Sequence, residues 1–179
     1  MDQLTFSSVS PEQESLVLSW LHKPHVNEWF HGTGLQNTIE GLRAFVTNGI
    51  PRFDPWIAYC NDKPFAFLLT SDVLESEANY PENPLAKWIE AGKKAITLDL
   101  LIGEEIYLGK GLSVPMIQGF LEKVHPDKDL VFIDPEEVNK KAIHVYAKAG
   151  FEKIDNFIAS WHPVPHLLMR LRQEKQSIS

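Results

Sequence analysis

Residues 97–121 read TLDLLIGEEIYLGKGLSVPMIQGFL, and in them an apolar run, a glycine turn and a second apolar run follow one another. Residues 95–103 (AITLDLLIG) are apolar at most positions, which predicts a central strand covered on both faces. Residues 113–125 (SVPMIQGFLEKVH) repeat their apolar positions with a helical period. The sequence therefore predicts a strand and a helix joined by a glycine-rich turn at residues 107–113 (YLGKGLS).

This glycine turn is the kind of backbone that binds an anion. Glycine lets a phosphate approach without a Cβ clash, and the free N–H groups at the start of a helix point toward the anion. A turn that merely reverses the chain would leave the same pattern. Neither G-x-x-x-x-G-K-[ST] nor G-x-G-x-x-G occurs, and four predicted strands precede the turn, which excludes the common nucleotide-binding motifs.

The rest of the chain predicts one domain over residues 1–179, with the element order β-α-α-β-β-β-α-β-α-β-β. Ser10, Pro11 and Gln13 form a capping pattern for the first helix, which we expect to stop at Pro24. Residues 25–34 read as a loop. The second helix is predicted over residues 38–50, a hairpin over residues 55–71, and a short helix is possible over residues 84–92. Residues 72–94 are long for a connection and read as functional or as an insertion.

Composition narrows the class of protein. The net charge of −7, from 17 basic and 24 acidic residues, argues against a nucleic-acid surface and fits a cationic small molecule better. The single cysteine, Cys60, excludes an internal disulfide and any multi-cysteine metal site, and its apolar context predicts a buried thiol. The sequence shows neither a signal-peptide core nor an apolar stretch of about 18 residues. We therefore expect a cytoplasmic protein with no membrane partner.

The seven histidines raise the question of a metal site. His22 and His25 are three residues apart, and His162 and His166 are four apart, but prolines interrupt the helices that such pairs need. H-E-x-x-H is absent, so we expect no metal. G-x-S-x-G is also absent, and no Ser-His-Asp arrangement is evident, so hydrolysis is unsupported.

Residues 97–121 and residues 133–154 (IDPEEVNKKAIHVYAKAGFEKI) together resemble the acetyl-CoA core of the GNAT N-acetyltransferases. The pyrophosphate loop of that family runs Gln/Arg-x-x-Gly-x-Gly/Ala. Gly111 matches it, whereas Leu108 stands for Gln/Arg and Ser113 for Gly/Ala. Within the family the chain is most similar to the aminoglycoside 6'-N-acetyltransferases, over most of its length except residues 72–94.

The resemblance implies a GNAT fold of class α/β (α+β), in which helices flank a central mixed, mostly antiparallel sheet. In this fold acetyl-CoA binds between two splayed parallel central strands. The cofactor-binding residues that the resemblance implies are Leu100, Leu101, Ile102, Gly103, Leu108, Gly109, Lys110, Gly111, Leu112, Ser113, Asn139, Ala142 and Tyr146. Asn139 could equally be a plain N-cap.

The resemblance also assigns catalytic and acceptor residues. Tyr146 would be the general acid near the CoA sulfur, and Asp99 would bind the acceptor ammonium and act as base, directly or through water. Asp134 and Trp29 would line the acceptor site. Apart from the resemblance, Asp72 could add negative charge to this substrate pocket. Each has a structural alternative: a core aromatic for Tyr146 and Trp29, a salt-bridged strand residue for Asp99, an Asp-Pro turn for Asp134, and a solvated loop for Asp72.

The expected function is acetyl transfer from acetyl-CoA to a primary amine of a small cationic acceptor, aminoglycoside-like and acetylated at the 6' nitrogen. One alternative is a siderophore-pathway N-acyltransferase acting on a hydroxylysine-type hydroxylamine. Another is a non-catalytic GNAT domain that senses CoA, toward which the Leu108 departure points. A monomer and a homodimer are both compatible with the sequence.

Overall fold

The computed structural model describes residues 1–49, 53–160 and 162–173. Its strands are β1 (Leu4–Ser8), β2 (Asp54–Cys60), β3 (Lys63–Val73), β4 (Ala95–Ile102), β5 (Leu130–Ile133), β6 (Glu152–Ile158) and β7 (Pro165–Arg172). Its α-helices are α1 (Glu14–Leu21), α2 (Pro24–Asn27), α3 (Gly32–Asn48), α4 (Ser113–Val124) and α5 (Lys140–Lys148). Short 3₁₀ turns lie at Pro11–Gln13, Glu75–Asn79, Ala86–Trp88 and Glu105–Tyr107.

The described strands form one sheet in the order β1-β2-β3-β4-β5-β7-β6. Every neighbouring pair is antiparallel except β4 and β5, which are parallel. The predicted order of the strands and the mostly antiparallel sheet are thus confirmed, and β4 is the central strand. Between β1 and β2 the described residues form three α-helices where two were predicted. A parallel pair needs a crossover connection, and α4 supplies it.

The local sequence explains how the first helical segment begins and how β2 turns back into β3. The Gln13 carboxamide oxygen accepts a hydrogen bond from the Ser10 N–H at 3.0 Å, so the predicted capping pattern does open the first helical segment. In the β2–β3 hairpin, Asn61 and Asp62 both have positive φ (49° and 67°). Such values suit a two-residue turn that matches the twist of the strands.

The region between Pro24 and Asn48 is more helical than predicted. Residues 24–27 form α2, because Pro24 sits at a first helical position where its fixed φ is favourable. Helix α3 begins at Gly32, six residues before the predicted start. Its first turns bring Leu35 against the same core cluster as Leu42, so tertiary packing overrides the low helix propensity of the glycines. The last residue of the predicted helix, Ile50, lies outside the described residues.

Helices cover both faces of the sheet. On one face α4 and α5 contribute Met116, Phe120 and Tyr146 to a core that includes Leu98 of β4. On the other face α1 and α3 pack against β2 and β3. Residues 72–94 cover the remainder of that face through Leu85, Trp88 and Ile89. Within residues 84–92, where a short helix was possible, the structure has a single 3₁₀ turn at Ala86–Trp88.

Strands β4 and β5 separate soon after they meet. They pair at Ala95 with Leu130, Ile96 with Val131 and Thr97 with Phe132, and β4 then continues to Ile102 beside β3 alone. Strand β5 stays with β7, where Ile133 faces Met169. A gap therefore opens between two parallel central strands, which confirms the predicted splay.

Two further features are the burial of the single cysteine and the length and apolar character of the helices. Cys60 lies on β2 and is buried, as its apolar context predicts. Within residues 1–49, 53–160 and 162–173, none of the helices is both long enough and apolar enough to cross a membrane.

Gly103, at the end of β4, generates a stability prediction. A Cβ there would overlap the indole of Trp20, which is fully buried. We expect Gly103→Ala to lower the free energy of unfolding by about 1–3 kcal/mol, because the core must shift to accept the methyl group. The melting temperature would fall by roughly 2–4 °C for each kcal/mol.

Gly119→Ala is the matched control. A Cβ at that position of α4 lies 3.6 Å from the Phe6 ring, an ordinary contact, and alanine favours the helix more than glycine does. Its melting temperature should equal or exceed that of the wild type. Equal melting temperatures for the two variants would contradict the close-packing role of Gly103.

Candidate active site

A cavity of about 1380 Å³ passes through the sheet at the gap between β4 and β5. Pockets that hold one drug-sized ligand usually measure about 300–1,000 Å³, so this cavity has room for two substrates side by side. Side chains from both faces of the sheet line it, because the separated strands no longer close the layer between them.

The cavity has two ends, set by the alternation of side chains along β4. At one end Asp99 and Leu101 share a face with Phe132 and with residues of α3, and we call this the α3 end. At the other end Leu100 and the α5 side chains line the cavity, and we call this the α5 end.

Asp99, Asp134 and Tyr146 come together at the gap, as the sequence predicts. They lie on β4, just after β5 and on α5. Burial raises the pKa of Asp99 to about 6. The pKa of Asp134 is raised well above its ordinary value, first by burial and then by the charge of Asp99.

The Tyr146 pKa is also raised, chiefly by burial and further by Asp99 and Asp134. The two carboxyl groups disfavour simultaneous ionisation, as like charges in a shared site do. At neutral pH Asp99 is mostly ionised, since its pKa is about 6, while Tyr146 is protonated. The site thus holds a base and a proton donor at the same point of the sheet.

The glycine turn has left-handed backbone at two positions. Gly109 and Gly111 have φ of 70° and 72°, and no atom lies within 4 Å of a Cβ built on either. Leu108 and Ser113, at the ends of the turn, line the cavity, whereas Gly109, Lys110 and Gly111 face outward beside it and Leu112 is buried in the core. The backbone conformation by itself accounts for glycine at both positions.

The open edge of β4 faces the cavity. Leu100, Leu101 and Ile102 line it. The Gly103 N–H donates to the Phe65 carbonyl of the β3 side, so by alternation the backbone groups of Ile102 and Leu100 point toward the gap. Gly103 itself does not line the cavity, and its contact with Trp20 explains why it is glycine.

Asn139 and Ala142 lie at the start of α5 and line the cavity. The Asn139 side-chain oxygen accepts a hydrogen bond from the Ala142 N–H at 3.2 Å, so Asn139 is an N-cap. The side-chain N–H groups of Asn139 take no part in this hydrogen bond. Ala142 is one helical turn from Tyr146, and its small side chain keeps the space in front of the phenol open.

The acceptor residues predicted from the sequence divide into two groups. Trp29 and Asp134 line the cavity. Asp72 does not: it pairs with Ile96, three positions from Asp99 along β4, and therefore lies on the opposite face of the sheet. Its side chain is 62% exposed and lies 3.3 Å from the Lys128 ammonium. Asp72 is therefore no longer a candidate for the acceptor site.

Sequence reasoning missed a second polar cluster in the cavity. Glu136 lies 3.0 Å from Nε2 of His31 and 3.6 Å from Nε2 of His162. His166 is a further lining residue, and so are Glu28 and Glu82. The three members of the cluster come from separate segments, so no spacing within one element reveals them.

The family model of the acetyltransferase (GNAT) domain matches residues 12–159. The chain belongs to the GNAT acetyltransferase family. The resemblance seen in its sequence is thereby confirmed at the level of the family, and so is the fold.

Several relatives of this GNAT acetyltransferase are aminoglycoside N(6')-acetyltransferases. The type 1 proteins of Klebsiella pneumoniae and Serratia marcescens are each 26% identical over 157 residues, which cover 85% of this chain and 75% of theirs. A crystal structure of aminoglycoside N(6')acetyltransferase from Legionella pneumophila is 48% identical, with a TM-score of 0.83 over 96% of this chain and 93% of that one. AAC(6')-Ib in complex with ribostamycin and coenzyme A shares the fold at 20% identity, with a TM-score of 0.77 and 99% coverage of both chains.

The raised pKa of Asp99 predicts a pH-dependent cost in stability. Its folded pKa of about 6 exceeds its ordinary value of 3.8, so its contribution to stability is complete below pH 3.8 and is lost as the pH rises through 6. The difference between a pKa of about 6 and one of 3.8 corresponds to at most about 3 kcal/mol of folding free energy. Asp99→Asn should therefore melt at a higher temperature than the wild-type acetyltransferase at about pH 8, and the difference should shrink toward about pH 4.

Asp72→Asn is the control for this measurement. It makes the same chemical change on an exposed side chain of the same sheet, where an ion pair contributes little. Thermal denaturation of the three proteins across this pH range provides the comparison. A pH-independent difference between Asp99→Asn and the wild type would contradict the raised pKa.

Proposed function

We propose that this protein transfers the acetyl group of acetyl-CoA to a primary amine of an aminoglycoside-like acceptor, at its 6' nitrogen. The observation that carries the proposal is the cavity through the sheet, with Asp99 and Tyr146 meeting where β4 and β5 separate. Membership of the GNAT family and 48% identity to the Legionella enzyme support it.

The α5 end of the cavity fits acetyl-CoA, which supplies an activated acetyl thioester. Backbone groups of Leu100 and Ile102 face the gap and could pair with the amides of the pantetheine arm as an added strand would. The glycine turn leads into α4, whose first N–H groups have no partner within the helix and suit a pyrophosphate. Asn139 and Ala142 border the same space.

The α3 end fits a cationic acceptor. Five acidic residues line the cavity among the described residues: Glu28, Glu82, Asp99, Asp134 and Glu136. Asp99 and Asp134 disfavour simultaneous ionisation, so the negative charge comes from the three glutamates and one of these two aspartates. Such a concentration of negative charge attracts a polyamine and raises its local concentration. Trp29 and Phe30 offer aromatic surface for a sugar ring. An aminoglycoside, with several ammonium groups on a sugar framework, matches both features.

Asp99 removes the proton from the acceptor ammonium, directly or through water. An alkylammonium with a pKa near 10.4 loses its proton to an ordinary aspartate at a cost of about 9 kcal/mol. Raising the Asp99 pKa to about 6 cuts this cost to roughly 6 kcal/mol. The burial that destabilises the carboxylate thus makes it a better base.

Tyr146 assists departure of the thiolate. A thiol has a pKa near 8.5, below the ordinary tyrosine pKa of about 10, and the Tyr146 pKa is raised further, so complete proton transfer from Tyr146 to the sulfur is uphill. The raised Tyr146 pKa keeps the phenol protonated, and a hydrogen bond from its hydroxyl group stabilises the developing negative charge. A gap-facing N–H of β4 would polarise the thioester carbonyl.

A thiol-release assay with acetyl-CoA tests this function. The acceptors would be kanamycin-type aminoglycosides, simple polyamines and a hydroxylysine that carries its hydroxyl group on the side-chain nitrogen, which makes it a hydroxylamine. We expect turnover with an aminoglycoside, and we expect Asp99→Asn and Tyr146→Phe each to reduce kcat by roughly 10²–10⁴-fold, the usual contribution of a general base or acid.

Two variants control for the chemical change alone. Asp72→Asn alters a carboxylate on the opposite face of the sheet, and Tyr59→Phe removes a phenol hydroxyl group on β2 that contacts Gln13 and lies outside the cavity. Both should retain the wild-type rate. Turnover of the hydroxylamine alone would overturn the aminoglycoside proposal in favour of siderophore chemistry. Coenzyme A binding without turnover of any acceptor would favour a sensing domain.

The pH profile of kcat/KM tests Asp99 as the base. Because the base must be ionised, kcat/KM should fall about tenfold per pH unit below pH 6. Asp72→Asn should show the same profile. If kcat/KM began to fall only near pH 4, where an ordinary aspartate titrates, the base would be another carboxylate.

A further inference from the structure

We propose that His31, Glu136 and His162 form a zinc site at the α3 end of the cavity, and that Zn²⁺ bound there competes with the acceptor. The metal site stands on its own geometry. The competition rests on the proposed function.

The three side chains have the chemistry and spacing of a zinc site. Two imidazoles and one carboxylate are the protein ligands of many catalytic zinc centres, which leave a fourth position open. Their candidate donor atoms all lie within 4.8 Å of one another. Zinc bonds of about 2.0–2.2 Å place tetrahedral ligands roughly 3.5 Å apart, so side-chain movements of about 1 Å would complete the site.

The polar contacts of His162 are incomplete. Its Nε2 is buried and has no hydrogen-bond partner among the residues that the structure describes, and the nearest Glu136 oxygen, at 3.6 Å, is too distant for one. The His31 ring lies edge-on to it, with the ring centroids 4.3 Å apart. A buried nitrogen without a partner costs free energy, and coordination to a cation would satisfy it.

The backbone holds Glu136 firmly between the two histidines. Glu136 pairs with His166 in an isolated antiparallel bridge. On its two sides the Glu137 N–H donates to the Pro165 carbonyl, and the Leu167 N–H donates to the Pro135 carbonyl, each at 2.9 Å. His31 is the residue that precedes α3, and His162 lies in the β6–β7 connection. The backbone that carries the carboxylate is thus paired with β7, and the two imidazoles approach the carboxylate from separate segments.

Occupation of this site would oppose acceptor binding. All three ligands line the cavity whose acidic side chains attract a cationic acceptor. A divalent cation there neutralises part of that charge and occupies part of the space. Zinc should therefore raise the KM for the acceptor and leave kcat unchanged, as a competitive inhibitor does.

Isothermal titration calorimetry with zinc chloride tests the site on the metal-free full-length protein. We expect one zinc ion per chain, and we expect His162→Gln and His31→Gln each to weaken binding by at least about tenfold. His22→Gln is the matched control, because His22 is exposed and lies outside the cavity. Absence of binding, or equal affinity in the wild type and both cavity variants, would overturn the site.

Steady-state kinetics with added zinc tests the competition. The acceptor KM should rise for the wild type and for His22→Gln, and should change at least about tenfold less for His162→Gln at equal zinc. Zinc binding with an unchanged acceptor KM would overturn the competition. If no acceptor is turned over even without zinc, the proposed function fails, and calorimetry still decides whether the metal site exists.

Discussion

The separation of β4 from β5 after three paired residues is the constraint on which the rest of this structure depends. A sheet normally separates the helices on its two faces, and here the gap joins the two sides in one cavity. It leaves backbone groups of β4 without the strand partner that a closed sheet would supply. It also places Asp99 and Tyr146, from elements on either side of the gap, at its edge. Under the proposed function, two substrates would approach from opposite faces and meet beside the Asp99 carboxyl group and the Tyr146 phenol.

The groups enclosed at this gap lower the free energy of unfolding. Asp99, Asp134 and Tyr146 are enclosed in a region where burial disfavours every charged form. Apolar packing on both faces offsets this cost: Phe120 and Met116 on one side, Trp20 and Leu42 on the other, are fully buried. Catalytic pKa values are commonly tuned in this way, by a rigid apolar frame around few polar groups. The buried polar groups of the site thus destabilise the folded protein, and the well-packed apolar layers around them offset that loss.

The sequence predicted the strands and helices well wherever the period was clear, as in β4 and α4, and it grouped Asp99, Asp134 and Tyr146 through a family resemblance. It failed where the answer depended on register or on distant contacts. Asp72 was expected to add negative charge to the acceptor site, but its pairing with Ile96, three positions from Asp99, puts it on the other face of the sheet. Helix α3 starts at Gly32 because Leu35 finds a tertiary contact that propensity cannot foresee. His31, Glu136 and His162 are more than 25 residues apart from one another in sequence, so only the fold shows them together.

A crystal structure of the full-length protein with coenzyme A tests the central claim most directly. The account predicts that the pantetheine arm lies in the gap between β4 and β5, with its amides paired to the backbone of Leu100 or Ile102. It also predicts that the sulfur lies within hydrogen-bonding distance of the Tyr146 hydroxyl group, with Asp99 across the gap. Coenzyme A bound elsewhere, or in the gap with its sulfur remote from Tyr146, would contradict the account.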